Sequence, residues 1–218
     1  MKKIMEGLSK FREEVFPRHQ ELFSELASGQ RPEALLITCS DSRIDPTLLT
    51  QTQPGDLFII RNAGNIVPPF GQALGGVTAT IEYAVMALGV RDIIVCGHSD
   101  CGAMGGILHP EKVAQMKHVA AWLRYGDPAR LVVEQKYSHL SGARLLMVLT
   151  EQNVLAQLNN LRTHPAVTAG LAKGELRLHG WVYDIGSGEV TSFDPSKDCF
   201  MPLRHIDAPV GDLQRCRS

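Results

Sequence analysis

Residues 34–39 read Ala-Leu-Leu-Ile-Thr-Cys, a short and almost continuous apolar run. Such a run is typical of a β-strand that is buried on both faces. Similar runs lie at residues 57–60 and 92–96, and a more alternating run lies at residues 176–183. Between the second and third runs, residues 76–89 have the pattern of a helix that ends at a glycine. Apolar strands that alternate with helices predict an α/β fold, with a mostly parallel central β-sheet flanked by helices.

The rest of the chain predicts helical additions to this sheet. Residues 2–29 have apolar side chains at helical spacing, although Pro17 should break or kink the helix because it has no backbone N–H. Two further helices are expected at residues 111–125 and 142–163. We therefore predict a single domain over residues 1–218, made of a helical arm at 1–30, an α/β core at 31–194 and a C-terminal tail at 195–218.

Composition narrows the classes of function. The 218 residues are 44% hydrophobic and 21% charged, which is ordinary for a globular protein with a real core. The net charge of −1 gives no basic surface of the kind that nucleic acid requires. No apolar run approaches the ~20 residues of a membrane span. The first ten residues contain three lysines and no apolar leader follows them, so we expect a cytoplasmic location, where thiols stay reduced.

Cysteine and histidine residues follow two of the predicted strands. Cys39 ends the first apolar run, and His98 and Cys101 follow the third. Because the carboxyl ends of parallel strands meet at the same edge of a sheet, these three side chains can converge. Zinc accepts cysteine sulfur and histidine nitrogen in tetrahedral geometry, and three protein ligands leave the open position that is typical of a catalytic site.

Two other interpretations of these residues stay open at this stage. One is a structural zinc held by four cysteines, which would need paired Cys-x-x-Cys modules that the chain does not have. The three residues could also be unliganded core, although their Ser- and Asp-rich surroundings are unusual for inert core. Of the remaining cysteines, Cys96 is expected in the core, and Cys199 and Cys216 are expected to be bystander thiols.

Four short motifs follow one another in a characteristic order. They are Cys39-Ser40-Asp41-Ser42-Arg43, Arg61-Asn62-Ala63-Gly64-Asn65, Ile81-Glu82-Tyr83-Ala84 and Gly97-His98-Ser99-Asp100-Cys101-Gly102. In combination they resemble the β-class carbonic anhydrases, and most of all the bacterial cyanate-operon and carboxysomal branch. The resemblance implies one zinc ion per subunit on Cys39, His98 and Cys101, and reversible hydration of carbon dioxide to bicarbonate and a proton.

The resemblance also implies that Asp41 and Arg43 act as a catalytic dyad while zinc hydroxide attacks carbon dioxide. A bidentate pair with Arg43 would keep the Asp41 carboxylate ionised and away from zinc, so that Asp41 would be a ligand only in a closed form. Family members that are inhibited through a second bicarbonate site have tryptophan where this chain has Leu36, so we expect an open site. Two thiolates and a neutral imidazole cancel the charge of zinc, so we expect activity to rise towards alkaline pH.

A substrate pocket is implied by the same resemblance. Its residues are Gln30, Phe58, Ala63, Tyr83 and the backbone N–H of Gly102, with Gln30 and part of the lining supplied by the adjoining subunit. Phe58 and Tyr83 could equally be core residues, and Gln30 a surface residue at a helix end. A homodimer or a dimer-based higher oligomer is therefore expected. Carboxysomal association is not favoured, because the long C-terminal extension of carboxysomal members is not present.

Two alternative functions remain at the level of sequence. A hydrolase of carbon disulfide or carbonyl sulfide could use the same fold with a reshaped access channel. A non-catalytic scaffold could use zinc only for stability and bind its partners through the helical arm.

Overall fold

The computed structural model describes residues 1–73 and 75–203 of the chain. Its strands are β1 (Ala34–Cys39), β2 (Leu57–Asn62), β3 (Asp92–His98), β4 (Arg177–Tyr183), β5 (Val190–Asp194) and β6 (Cys199–Pro202). They form one six-stranded sheet in the order β2-β1-β3-β4-β5-β6. The first four strands in this order are parallel, and β5 and β6 are added in antiparallel orientation. The predicted α/β fold with a mostly parallel sheet is confirmed.

Ten α-helices connect or flank these strands in the described part of the chain. They are α1 (Lys2–Lys10), α2 (Gln20–Leu26), α3 (Pro46–Thr50), α4 (Gly76–Met86), α5 (Gly102–Leu108), α6 (Pro110–Val113), α7 (Lys117–Leu123), α8 (Asp127–Lys136), α9 (Gly142–Leu161) and α10 (Pro165–Ala172). None of these helices has both the length and the hydropathy needed to cross a bilayer.

The N-terminal arm is helical but irregular, as the position of Pro17 predicts. A π-helical segment at Phe11–Val15 and a 3₁₀ segment at Phe16–His19 separate α1 from α2. No residue of α1 is buried, and its apolar side chains Ile4 and Leu8 are 61% and 59% exposed. Helices in globular proteins gain most of their stability from packing an apolar face, and residues 1–73 and 75–203 leave the apolar face of this arm uncovered.

The expected helix at 111–125 is instead divided into α6 and α7. Val113 and Leu123 both lie close to Gly106 of α5, where a Cβ atom would meet Leu123 Cδ1 at 2.8 Å and Val113 Cγ1 at 3.0 Å. This tertiary packing divides a segment whose apolar spacing favours one helix. The tail that begins at residue 195 contains β6, while residues 204–218 lie outside the described part.

The centre of the sheet is buried on both faces. Every residue of β1 is buried, and so is every residue of β3 after Asp92. One face packs against α4, α9 and α10, and it includes Leu35, Ile37, Ile93 and Val95. Helix α9 approaches so closely that Gly97 of β3 and Gly180 of β4 leave no room for a side chain. The carboxyl ends of β1 and β3 are therefore fixed side by side.

Candidate metal centre

The carboxyl ends of β1 and β3 place Cys39, His98 and Cys101 together. Thr38 is paired with Cys96 in the parallel register, so that Cys39 and His98 leave the sheet at the same edge. Cys101 follows in the loop after β3 and caps the N-terminus of α5. The candidate ligand atoms of the three residues lie within 4.8 Å of one another, and all three residues are buried. The convergence expected from the sequence is confirmed.

The histidine is oriented with one nitrogen available. His98 Nδ1 lies 2.9 Å from the carbonyl oxygen of Ser99. A carbonyl can only accept, so Nδ1 donates this hydrogen bond and Nε2 keeps its lone pair. His98 is fully buried, and its Nε2 atom has no hydrogen-bond partner among the residues that the structure describes. A buried nitrogen without a partner is costly in an ordinary core, whereas a metal ion would satisfy it.

The two thiols are spaced for a shared cation. Cys39 Sγ and Cys101 Sγ are 4.0 Å apart, and two sulfurs on one tetrahedral zinc would be about 3.8 Å apart for bonds of about 2.3 Å. The backbone N–H of Gly64 donates to Cys39 Sγ at 3.4 Å. The pKa of the Cys101 thiol is raised by Cys39 and by burial, and the backbone N–H groups of Ala103 and Met104 at the start of α5 only partly offset this. The donor set and spacing fit zinc.

The two thiols also share one proton. The hydrogen bond from Cys101 lowers the pKa of Cys39, with further contributions from His98 and Gly64, although burial opposes the shift. The hydrogen bond with Cys39 raises the pKa of Cys101, and burial adds to this effect. One thiolate therefore forms readily, and a bound dication would expel the second proton.

Asp41 and Arg43 form a bidentate pair next to this cluster. Arg43 Nε donates to Asp41 Oδ1 at 2.9 Å, Arg43 Nη2 donates to Asp41 Oδ2 at 2.8 Å, and the Arg43 backbone N–H donates to Oδ1 at 3.0 Å. These hydrogen bonds from Arg43 hold the pKa of the Asp41 carboxyl well below its usual range. Asp41 Oδ2 lies 4.0 Å from His98 Nε2. The carboxylate is thus ionised and faces the candidate metal position.

Two residues to which the sequence analysis gave no role complete this site. Arg61 donates to the carbonyl oxygens of Cys39 and Asp41, at 3.0 and 2.7 Å, and so fixes the backbone around the first thiol. Asp100 accepts from Arg43 through both its carboxylate and its carbonyl oxygen. Arg61 is the second-last residue of β2 and is paired with Thr38, so its position next to the carboxyl end of β1 indicated that it would be close to the site. No sequence pattern indicated the contact between Asp100 and Arg43.

The predicted pocket residues fall into two groups in one chain. Ala63 and Gly102 lie at the metal end of the sheet, which is the edge formed by the carboxyl ends of β1 and β3. Ala63 precedes Gly64, which donates to the Cys39 thiol, and Gly102 follows Cys101. Phe58 is paired with Leu35, four residues before Cys39, and a strand rises about 3.3 Å per residue. Tyr83 packs against Phe58 with ring centroids 6.0 Å apart. Phe58 is therefore about 13 Å along the sheet from the thiols, and Tyr83 lies beside it.

Gln30 belongs with the distant group. It lies between α2 and β1, at the amino end of β1, and is exposed. The chain alone does not bring Gln30, Phe58 and Tyr83 to the metal-binding residues.

The other cysteines differ in state. Cys96 is 1% exposed, and burial raises the pKa of its thiol to about 12, so it is a core residue as expected. Cys199 is disulfide-bonded, so the expectation of a bystander thiol is wrong for this residue. Cys216 lies outside the described residues.

Comparison with known proteins agrees with this site. A sequence model of the carbonic anhydrase family matches residues 34–190. A carbonic anhydrase of Pseudomonas aeruginosa is 51% identical over 93% of this chain and 92% of its own length. Carbonic anhydrase 1 of Escherichia coli O157:H7 is 52% identical over the same shares of the two chains. The structure of the β-carbonic anhydrase CcaA is similar, with a TM-score of 0.92 and 48% identity over 93% of this chain and 99% of that chain.

The chain belongs to the carbonic anhydrase family, and within it to the β class. It is a zinc-dependent carbonate dehydratase, a lyase that interconverts carbon dioxide and bicarbonate. The hydrolase of carbon disulfide or carbonyl sulfide and the non-catalytic scaffold are not favoured by these comparisons.

Proposed function

We propose that Cys39, His98 and Cys101 hold one zinc ion in this carbonic anhydrase and leave one coordination position for the reaction. The observation that most supports this is the buried His98 Nε2, which has no hydrogen-bond partner in the described part of the chain and lies beside two thiols 4.0 Å apart. When bound, zinc would act as a Lewis acid that makes a water molecule nucleophilic near neutral pH.

Asp41 orients the attacking water in this proposal. Its carboxylate is kept ionised by Arg43, so it can only accept hydrogen bonds. An acceptor next to the metal position fixes the proton of the water and thereby directs an oxygen lone pair towards carbon dioxide. Asp41 would become a metal ligand only if it left Arg43, and the three hydrogen bonds between them favour the open form.

A second copy of the chain completes the substrate pocket in this proposal. Gln30, Phe58 and Tyr83 lie away from the metal end of their own sheet, whereas Ala63 and Gly102 lie beside it. Tyr83 is 52% exposed and Met86, on the same helix, is 72% exposed, which is unusual for large apolar side chains. A partner that places its Gln30, Phe58 and Tyr83 over the metal end would supply the narrow apolar pocket that carbon dioxide needs.

The same argument supports a homodimer or a dimer-based higher oligomer. The uncovered face of α1 would pack on the second copy. Two related β-carbonic anhydrases of Sordaria macrospora are described as tetrameric, and one of them has a TM-score of 0.78 and 31% identity to this chain. Equilibrium sedimentation tests the assembly, and a monomer at micromolar concentration with full activity would contradict it.

A cytoplasmic location is part of the proposal, because Cys39 and Cys101 must remain thiols to bind a metal. The structure has Cys199 disulfide-bonded, whereas the cytoplasm would keep it reduced, so a Cys199 disulfide that persists in cells would contradict this location. The number of free thiols in protein trapped directly from cells therefore tests this location.

The role of Asp41 is tested by Asp41→Asn. The amide keeps the volume but replaces one of the two acceptor oxygens with an NH₂ donor, so kcat/KM for carbon dioxide should fall by about 10²-fold or more, while zinc stays bound. Asp127→Asn is the matched control, since Asp127 also pairs with an arginine, Arg130, but on the surface of α8. Stopped-flow hydration at about pH 8–9 measures the effect. Equal rates for the parent and Asp41→Asn would remove Asp41 from the reaction.

A further inference from the structure

Arg43 joins the two loops that contain the candidate metal ligands. Towards the Cys39 loop, it donates two side-chain hydrogen bonds to the Asp41 carboxylate. Towards the Cys101 loop, Arg43 Nη1 donates to Asp100 Oδ2 at 2.9 Å and Arg43 Nη2 donates to the Asp100 carbonyl oxygen at 2.9 Å. Four of the five guanidinium N–H groups are therefore directed at two residues.

Asp100 has an unusual backbone conformation that makes this contact. Its φ is +53°, in the left-handed region that few residues other than glycine adopt, although aspartate tolerates it better than most. Ser99 fixes the residue before it, because its backbone N–H donates to Tyr183 and its hydroxyl accepts from the Ile185 N–H, both at 2.9 Å. The turn thus presents both acceptors of Asp100 to Arg43.

Asp41 has two competing positions in such a site. Its carboxylate can stay with Arg43 or turn towards the metal, since Oδ2 is only 4.0 Å from His98 Nε2. The Arg43 side chain is 43% exposed, and without Asp100 only Asp41 itself would hold the guanidinium in place. Without a second anchor, Arg43 would move together with the Asp41 carboxylate and would not keep that carboxylate away from the metal position.

We propose that Asp100 is a positioning residue, which anchors Arg43 to the Cys101 loop and so keeps Asp41 away from the metal and the fourth coordination position open. This inference rests on the proposed function of the Cys39, His98 and Cys101 cluster. Asp100 does not touch the reacting atoms; it acts through Arg43.

Two simpler interpretations make different predictions. An ordinary surface ion pair, with Asp100 80% exposed, would matter little for any property. A residue needed only to form the turn would affect stability and zinc content. The positioning role predicts a third result, in which stability and zinc content are kept and access to the fourth position is reduced.

The variants are Asp100→Gly and Asp100→Asn in the full-length zinc-loaded enzyme. Glycine adopts the left-handed conformation and keeps the carbonyl contact, but it removes the carboxylate. Asparagine keeps an acceptor oxygen for Arg43 Nη1 without the charge. Asp198 provides the matched control, because it is also exposed and has a φ of +52°, in the turn between β5 and β6.

Two measurements report whether the fourth coordination position of the metal is open. One is kcat/KM for carbon dioxide, and the other is the dissociation constant of azide from the cobalt-substituted protein, measured by visible absorption. For Asp100→Gly we expect kcat/KM to fall about 3- to 10-fold and azide to bind more weakly by the same factor, because both need the open form. Asp100→Asn should keep kcat/KM and the azide dissociation constant close to those of the parent. The same two substitutions at Asp198 should change neither quantity.

The direction of the azide change is itself diagnostic. Loss of a negative charge near the site would, by electrostatics alone, tighten the binding of an anion. Weaker binding in Asp100→Gly therefore reports competition from Asp41.

The proposal is overturned if Asp100→Gly keeps both values within about two-fold of the parent. It is also overturned if Asp100→Gly loses zinc or melts at a lower temperature than Asp198→Gly, since its role would then be structural. Failure of the proposed function gives a separate result, in which the zinc-loaded parent itself shows no turnover.

Discussion

Gly97→Ala is expected to separate α9 from β3 and to weaken the metal centre at the same time. A Cβ atom at position 97 would lie 2.9 Å from Thr150 Cγ2 and 3.0 Å from Val154 Cγ2, where carbon atoms normally stay about 3.5–4.0 Å apart. Thr150 and Val154 are 1% and 0% exposed. Both are β-branched, so neither methyl group can rotate away freely. The helix must shift.

Overpacking of this kind costs about 1–3 kcal/mol of the free energy of unfolding. For a chain of 218 residues, each kcal/mol lowers Tm by about 2–4 °C, so we expect a decrease of roughly 2–12 °C. Gly97 directly precedes His98, so the shift also turns the imidazole. Changes in the surroundings of a metal ligand typically weaken metal binding about 10- to 100-fold, and we expect zinc affinity to fall within that range.

Gly180→Ala is the matched control, because it meets the same helix. Its Cβ would lie 2.9 Å from Val154 Cγ1 and 3.0 Å from Leu158 Cδ1. We expect a comparable loss of Tm with zinc affinity unchanged, since the neighbours of Gly180 in β4 are not metal ligands. Calorimetry and zinc titration against a chromophoric chelator give both quantities. An unchanged Tm for Gly97→Ala, or an equal loss of zinc affinity in both variants, would refute the reasoning.

Two further stability predictions concern α9. Burial raises the pKa of Glu151 from 4.5 to about 7. The charged carboxylate therefore destabilises the fold above pH 7, whereas below the unfolded pKa near 4.5 the group is neutral in both states and has no such effect. Glu151→Gln should stabilise the protein at pH 8, by up to about 3 kcal/mol, and should have no effect at pH 4. Equal effects at the two pH values in urea titrations would contradict this. Gln157, which is fully buried, accepts from the Val67 N–H at 2.9 Å and donates to Asn153 Oδ1 at 2.8 Å. Gln157→Leu leaves both groups without partners and should cost about 2–4 kcal/mol in urea unfolding; a loss below about 1 kcal/mol would show that the network is not needed.

The sheet and the metal-binding cluster were predictable because each follows from local rules. Short continuous apolar runs such as residues 34–39 are typical of strands that are buried on both faces, and parallel strands bring their carboxyl ends to one edge. The convergence of Cys39 and His98 also required β1 and β3 to be neighbours, and the structure shows that they are. Strands β5 and β6 were not predicted, because runs of five and four residues are too short to show a period.

The side-chain contacts around the cluster were not predictable from spacing. The contact of Arg43 with Asp100 depends on a left-handed turn at an aspartate, which no sequence pattern indicates. The distribution of the pocket residues depends on the register between β1 and β2, in which Phe58 is paired with Leu35 and not with Cys39. Such features become visible only when the strands are placed next to each other.

The central claim is that a zinc ion on Cys39, His98 and Cys101 makes this chain a carbonic anhydrase. Stopped-flow hydration of carbon dioxide, measured while zinc is removed by a chelator and added back in steps, tests it most directly. The rate should fall to that of the buffer and return in proportion to bound zinc, up to one ion per chain. A rate that does not depend on bound zinc, or a Cys101→Ser variant with the zinc affinity and turnover of the parent, would contradict the claim.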